Sequence, residues 1–365
     1  MGKRKLWVST RKGLLLFVEN DRGFALQRCA FRGDRVSLCL PSANSTVYAA
    51  LDLGHFGVKL RKSADDGATW QELKAPAFDP KPDGLVELLP DGKPWPWRVE
   101  QLWALEHGRD AQHLYAGCVG GGLFESHDGG QSWSLLRALW EHPLRTQWFG
   151  GGADLPAIHS VLVHPTDSAR LVVGVSCGGV WHSADAGASF NVRCDGMFAE
   201  FMPPEQKFTP HIQDPHMIVQ CLSKPDRLYC QHHNGAFRSD DRGLSWTELD
   251  VKPSHFGFAV GVHPSKPDTA WFVPAVKDET RVPVDDRLVV ARTEDGGKSF
   301  AVLSDGLPEA PAFDLVFRHA LSVSDDGSTL AMGSTTGSLW IGHEGGERWQ
   351  EVSAHLPPIY AVRWG

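Results

Sequence analysis

An octapeptide recurs along the chain: SADDGATW from Ser63, SHDGGQSW from Ser126, SADAGASF from Ser183, SDDRGLSW from Ser239 and TEDGGKSF from Thr293. An eroded copy, GHEGGERW, starts at Gly342. Successive copies stand 63, 57, 56, 54 and 49 residues apart. Self-similarity at such a period means one supersecondary unit per repeat, stacked so that neighbours bury a common core.

The units share a grammar, clearest in the stretch AIHSVLVHP, the turn TDSA, RLVVGVS, CGG, VWHSA, the octapeptide and FNVRC. These are four short β runs, here called A to D, bounded by turn residues. The A–B turn is equally tight elsewhere, as SKPD before Arg227 and again before Thr269. Glycine (38) and proline (24) are plentiful and no long helical stripe is present, which points to a turn-rich all-β chain. A four-stranded antiparallel unit repeated in this way predicts a propeller blade. KLWVSTRKGLLLFVENDRGFALQ supplies strands B, C and D without an A, whereas PIYAVRW at the other end supplies an A alone. Joined, they make one blade from 4–32 plus 357–365. The expectation is an all-β, seven-bladed β-propeller with four-stranded blades, one domain over 1–365, its ring closed by the C-terminal strand joining the N-terminal blade. Inner strands are predicted near 35–40, 99–105, 158–164, 216–222, 257–263, 317–323 and 359–364.

The pattern S-x-D-x-G-x-[ST]-[WF] is met in full at Ser63/Asp65/Gly67/Thr69/Trp70 and in the copies from Ser126, Ser183 and Ser239, with Thr293 replacing serine in the fifth. It resembles the Asp-box, or BNR repeat, of sialidases, seven-bladed xyloglucanases, sortilin-type receptors and a photosystem assembly factor. The chain is similar to bacterial BNR-repeat proteins described as glycosyl hydrolases, and the resemblance implies a sialidase-like propeller with a hydrolase's active site. An R-I-P motif is missing, and of the four tyrosines (48, 115, 229, 360) only Tyr360 falls near the predicted axis. The resemblance therefore implies the sialidase scaffold rather than sialidase chemistry.

The octapeptide itself reads as a turn. Its Asp and Ser or Thr accept nearby backbone N–H groups, its Gly takes a conformation others avoid, and its aromatic residue packs between sheets. One acid per copy falls far short of the six to eight oxygens that calcium takes.

Several classes are excluded. The net charge of −8 comes from intermixed acids and bases, so neither nucleic acid nor an anionic membrane surface is an expected partner. No apolar run is long enough to span a bilayer. The seven cysteines form no C-x-x-C pair, which predicts free thiols in a reducing compartment and excludes a four-cysteine zinc site. The basic residues of MGKRKLWVSTRKG lead into no secretory apolar core, so a cytoplasmic location is expected.

Connection lengths then select a face. The A–B and C–D turns are tight, while the D–A links at 74–97, 137–156 and 194–215 and the B–C insertion at 275–286 are long and carry aromatic residues. Long loops in a compact domain are usually functional. Residues opening strand A or lying in B–C loops should line an axial funnel on that face: Arg11, Arg35, Arg98, Glu100, His159, Asp214, His216, His233, Lys277, Arg318, His319 and Tyr360.

Three readings follow. In the first, a hydrolase or lyase acts on a small anionic or carbohydrate ligand, with His159, His216 and Glu100 as acid/base candidates and Arg11, Arg35, Arg98, Lys277, Arg318, His319 and Tyr360 holding the substrate. In the second, His159, His216, His233 and Asp214 bind a divalent ion, Mn, Zn or Fe, much as propeller lyases of uronates resemble this chain in using a His-rich metal centre. In the third, the funnel is a non-catalytic docking face for a protein or ligand, presenting Trp95, Trp97, Trp148 and Phe149 as exposed aromatic residues.

Overall fold

Short strands follow one another along the chain in a computed structural model that describes residues 3–42, 44–150 and 154–365. Among the described residues the one α-helix is the four-residue Arg137–Trp140. The strands assemble into antiparallel sheets of four, in chain order within each sheet except where the last strand of the chain joins the first three. Two neighbouring groups of four merge into a sheet of eight because Ala157, opening one group, pairs with Val119 of the other. The first sheet has the order Ile359–Trp364, Lys5–Thr10, Gly13–Asn20, Gly23–Ala30, with Leu6 opposite Trp364 and Val8 opposite Val362.

The first strands of the other groups are Arg35–Pro41, Gln101–His107, Ala157–His164, Pro215–Cys221, Gly257–Val262 and Leu321–Val323. They lie within a few residues of the predicted inner strands. Two departures matter for the site. The second begins at Gln101 rather than 99, and the strand expected from 317 begins at Leu321, leaving Phe317, Arg318 and His319 in the approach to it. Strands buried on both faces read as continuous apolar runs, as in Gly257–Val262, where every residue is buried. Trp181, Trp271 and Trp340, each at most 1% exposed, fill the space between sheets.

The octapeptide turns repeat one hydrogen-bond set. The Ser63 hydroxyl donates to Asp65 Oδ1 (2.7 Å) and accepts from Gly67 N–H (2.8 Å), while Asp65 accepts from the Thr69 N–H (2.9 Å) and hydroxyl (2.6 Å). Gly67 has φ +75°, and a Cβ there would lie 2.8 Å from the Trp7 ring, so glycine is required on both counts. Equivalent bonds hold Asp128, Asp185, Asp241 and Asp295. Asp241→Ala strips acceptors from the Ser245 N–H and hydroxyl and from the Ser239 hydroxyl. It is expected to cost about 1–2 kcal/mol, read as a lower urea midpoint, with ligand binding unchanged.

Binding is spared because of register. In one sheet Arg35 lies opposite Asp52 and Asp52 opposite Val58, whereas Pro41 lies opposite Val47 and Val47 opposite Ser63. The first strand therefore starts at the sheet edge opposite the octapeptide.

Candidate functional site

At that opposite edge a cavity of about 810 Å³ is lined by residues from several sheets, among them Arg35, Trp103, Asp214, His216, Phe258, Arg318 and Tyr360. Its size suits a small-molecule ligand. Long-loop residues Phe149, Phe201, Asp278 and Arg281 and the turn residue His233 also line it.

Asp214 is the hub. Its Oδ1 accepts from the Ser176 hydroxyl (2.9 Å) and the Cys177 N–H (3.0 Å). Its Oδ2 faces His216 Nε2 at 3.5 Å and His233 Nδ1 at 3.4 Å. Burial pushes this carboxyl up, but His216, His233 and the charge of Arg318 outweigh burial and hold it well below the usual carboxylate range. Burial opposes charge on His233 too; there Asp214 prevails and raises the imidazole's pKa. His216, buried completely, is lowered instead. Its Nδ1 stands 2.7 Å from the Gly257 carbonyl, and its ring stacks on Phe258 at 4.6 Å.

Arg318 supplies the opposing charge. Its guanidinium lies over Trp103 (4.5 Å) and Phe258 (5.2 Å), and its buried Nε has no hydrogen-bond partner. No carboxylate among the described residues pairs with it. Burial lowers its pKa to about 10, which leaves it cationic at neutral pH. The charges of Asp214 and Asp278 offset part of the cost of burying this cation without bonding it directly, and an anion entering the cavity would offset more. Arg35, by contrast, already pairs with Asp52 (2.9 Å), bonds Gln101 (3.1 Å) and lies over Tyr360 (5.0 Å).

Several expected site residues lie elsewhere. His159 is sealed beneath the cavity: its Nδ1 meets the Ser160 hydroxyl at 2.8 Å, and its Nε2 is buried without a partner. It is 1% exposed, and Trp103, which does line the cavity, stands edge-on to its ring at 6.2 Å. His159 therefore leaves both the acid/base set and the ligand set. His319 touches the cavity, but its Nε2 donates to the His159 carbonyl (2.9 Å), a structural tie rather than a substrate contact. Arg98 and Glu100 precede their strand and pair with each other at 2.5 Å, outside the lining. Arg11 sits exposed in a turn, where its N–H donates to the Pro358 carbonyl. Lys277 pairs with Glu279 (3.6 Å) over an adjoining pocket that shares Phe201, His233 and Asp278 with the cavity, and does not itself line the cavity. Trp95 and Trp148 are 2% and 0% exposed and cannot present a docking face; Phe149 lines the cavity.

Trp103, Cys177, Phe201 and Arg281 were not anticipated as cavity residues. Period two puts Trp103 on the same strand face as Gln101, which also lines the cavity. Burial and the nearby Asp214 push the Cys177 thiol well above its ordinary range, so it is no nucleophile.

Four-stranded antiparallel sheets in chain order, with a cavity where their first strands begin, define a β-propeller. Solved structures agree. An ancestral GH74 enzyme superposes over 99% of this chain and 40% of its own, with TM-score 0.60 and 12% identity. The GH74 xyloglucanase from Xanthomonas campestris covers 98% of this chain and 52% of its own, with TM-score 0.62 and 17% identity. YCF48 bound to D1 peptide covers 87% and 80%, with TM-score 0.53 and 10% identity. The chain spans about half the length of these GH74 enzymes, and at such identities the likeness is one of fold. No protein-family model and no curated protein sequence matches the chain.

Proposed function

We propose that this chain is a seven-bladed propeller enzyme, a hydrolase or lyase, whose axial cavity binds a small carboxylate-bearing ligand of carbohydrate type. Support for the blade count comes from packing: the first strands contact one another in sequence from Arg35–Pro41 round to Ile359–Trp364, which contacts Arg35–Pro41 again. That arrangement supports a ring closed by the C-terminal strand. The observation that carries the ligand class is Arg318, a buried guanidinium whose Nε has no hydrogen-bond partner and which no carboxylate among the described residues bonds directly, facing a ligand-sized cavity. Arginine grips planar oxyanions through two parallel bonds, and Trp103 and Phe258 hold its plane in place. The carbohydrate element rests on analogy with xyloglucanase propellers, and the peptide-bound YCF48 supports a docking scaffold as the competing reading.

Arg318→Met keeps the side-chain length and removes the charge. Titration calorimetry with a panel of uronates, aldonates and sialate should give saturable binding to the natural protein and at least tenfold weaker binding to the variant. Removing the cation also takes away charge that favours the Asp214 carboxylate, so circular dichroism first establishes that the variant is folded. Equal affinity in both proteins would refute the anion-binding reading.

A further inference from the structure

We infer that Asp214 Oδ2, His216 Nε2 and His233 Nδ1 bind a divalent first-row transition-metal ion whose open coordination side faces the cavity and Arg318. The inference rests on this cavity being the working site, but it concerns a different ligand from the anion assigned to Arg318.

The donor geometry comes first. The three atoms lie within 4.8 Å of one another, and the carboxylate oxygen is 3.5 Å and 3.4 Å from the two imidazole nitrogens. Bonds of about 2.1 Å to a tetrahedral ion place neighbouring donors about 3.4 Å apart.

Proton placement makes the case stronger. The Gly257 carbonyl can only accept, so at 2.7 Å it fixes the neutral His216 proton on Nδ1. His216 Nε2 then turns a lone pair toward Asp214 Oδ2, which is itself an acceptor. Two acceptors held face to face in a buried site are reconciled by a cation between them, a proton or a metal ion, and the convergence of two ring nitrogens on one carboxylate oxygen is the arrangement a metal ion uses. The other carboxylate oxygen is already satisfied by Ser176 and Cys177, so Oδ2 is left for that cation. A carbonyl fixing one ring nitrogen while the other faces a carboxylate is the support that metal-binding histidines ordinarily have.

Rigidity adds to this. The His233 N–H donates to the Asp214 carbonyl (3.0 Å), and the His216 ring is stacked on Phe258, so the donors are held in place before an ion arrives. Two imidazoles and one carboxylate suit zinc, manganese, iron or cobalt and do not suit calcium or magnesium, which take oxygen ligands. With three protein ligands, at least one position is open to water or substrate.

The full chain, produced without a His-tag and stripped with chelator, would be titrated with Zn2+, Mn2+ and Co2+. One ion per chain is expected at this site, with Co2+ giving visible d–d absorption. His233→Ala, at the half-buried edge of the site, should weaken binding more than tenfold and abolish the Co2+ band while the protein stays folded by circular dichroism. Asp214→Asn should do the same if it folds. His113, Glu125 and His127 form a second surface cluster whose donors are similarly close, so His127→Ala is the control and should leave the Co2+ band intact. Absence of binding, or binding lost in His127→Ala and kept in His233→Ala, overturns the inference. Carboxylate titration of the chelated protein tests Arg318 separately, so the two readings fail independently.

Discussion

A chain stopped at Leu356 is expected to lose cooperative folding. The deletion removes the strand Ile359–Trp364, in which Ile359, Ala361 and Val362 are fully buried. Burying each large aliphatic side chain contributes about 1.5–3 kcal/mol, and other losses accompany it. Lys5–Thr10 loses a hydrogen-bonding partner along its length, the Ser322 carbonyl loses the Trp364 indole, and Glu106 loses Arg363. The His319 carbonyl and the Ile359 site beside Gly333 are opened as well. Against a typical total of about 5–15 kcal/mol, these losses together suffice to unfold a domain. An open sheet edge also invites pairing between chains. The measurement is thermal denaturation followed by near-ultraviolet circular dichroism and dye binding. The truncated chain should give a broad or absent transition, dye binding at room temperature and aggregation; a single sharp transition near the full-length Tm would contradict the prediction.

Much of this architecture was legible because the octapeptide is a local motif. Ser63, Asp65, Gly67 and Thr69 bond one another within seven residues, so spacing alone located the turn and, from it, the strands on either side. The cavity face followed from antiparallel register, which places the start of Arg35–Pro41 opposite the octapeptide edge. Asp214, His216, His233 and Arg318 were found because they stand at strand starts or in the adjoining loops. The rest was illegible for equally physical reasons. A strand start misplaced by two residues put Arg98 and Glu100 at the axis, whereas they form a local ion pair in the approach. His159 was read at the mouth, but it is 1% exposed, and Trp103, at the same third position of its own strand, takes the place in the lining. Trp95 and Trp148 lie in loops that look exposed in sequence, yet Trp148 packs 5.5 Å from Trp181, and Arg145 sits 4.6 Å from Trp95 and 3.9 Å from Trp140. Those contacts join distant parts of the chain, and no local pattern announces them.

His319, expected from sequence to bind substrate, is instead a pH liability. Burial, reinforced by the nearby cations Arg363 and Arg318, lowers its pKa to about 3, although its bond to the His159 carbonyl favours charge. In the unfolded chain an ordinary histidine titrates near pH 6.5. Between those values the unfolded state holds a proton that the native state lacks, so stability is complete above pH 6.5 and falls as pH drops, levelling off only near pH 3. Each pH unit in that window costs about 1.4 kcal/mol, so His319 alone should remove about 2–3 kcal/mol by pH 4.5. His159, fully buried and lowered in the same direction, adds to the slope. His319→Gln offers the amide as a replacement donor to the His159 carbonyl but takes up no proton in this range. The variant should be less stable at pH 7.5, where the imidazole packs better, and should lose about one proton's worth of slope between pH 6 and 4. Urea midpoints measured across that range test this directly, because a variant whose stability falls as steeply with acid as the natural protein's would show that His319 is not the group responsible.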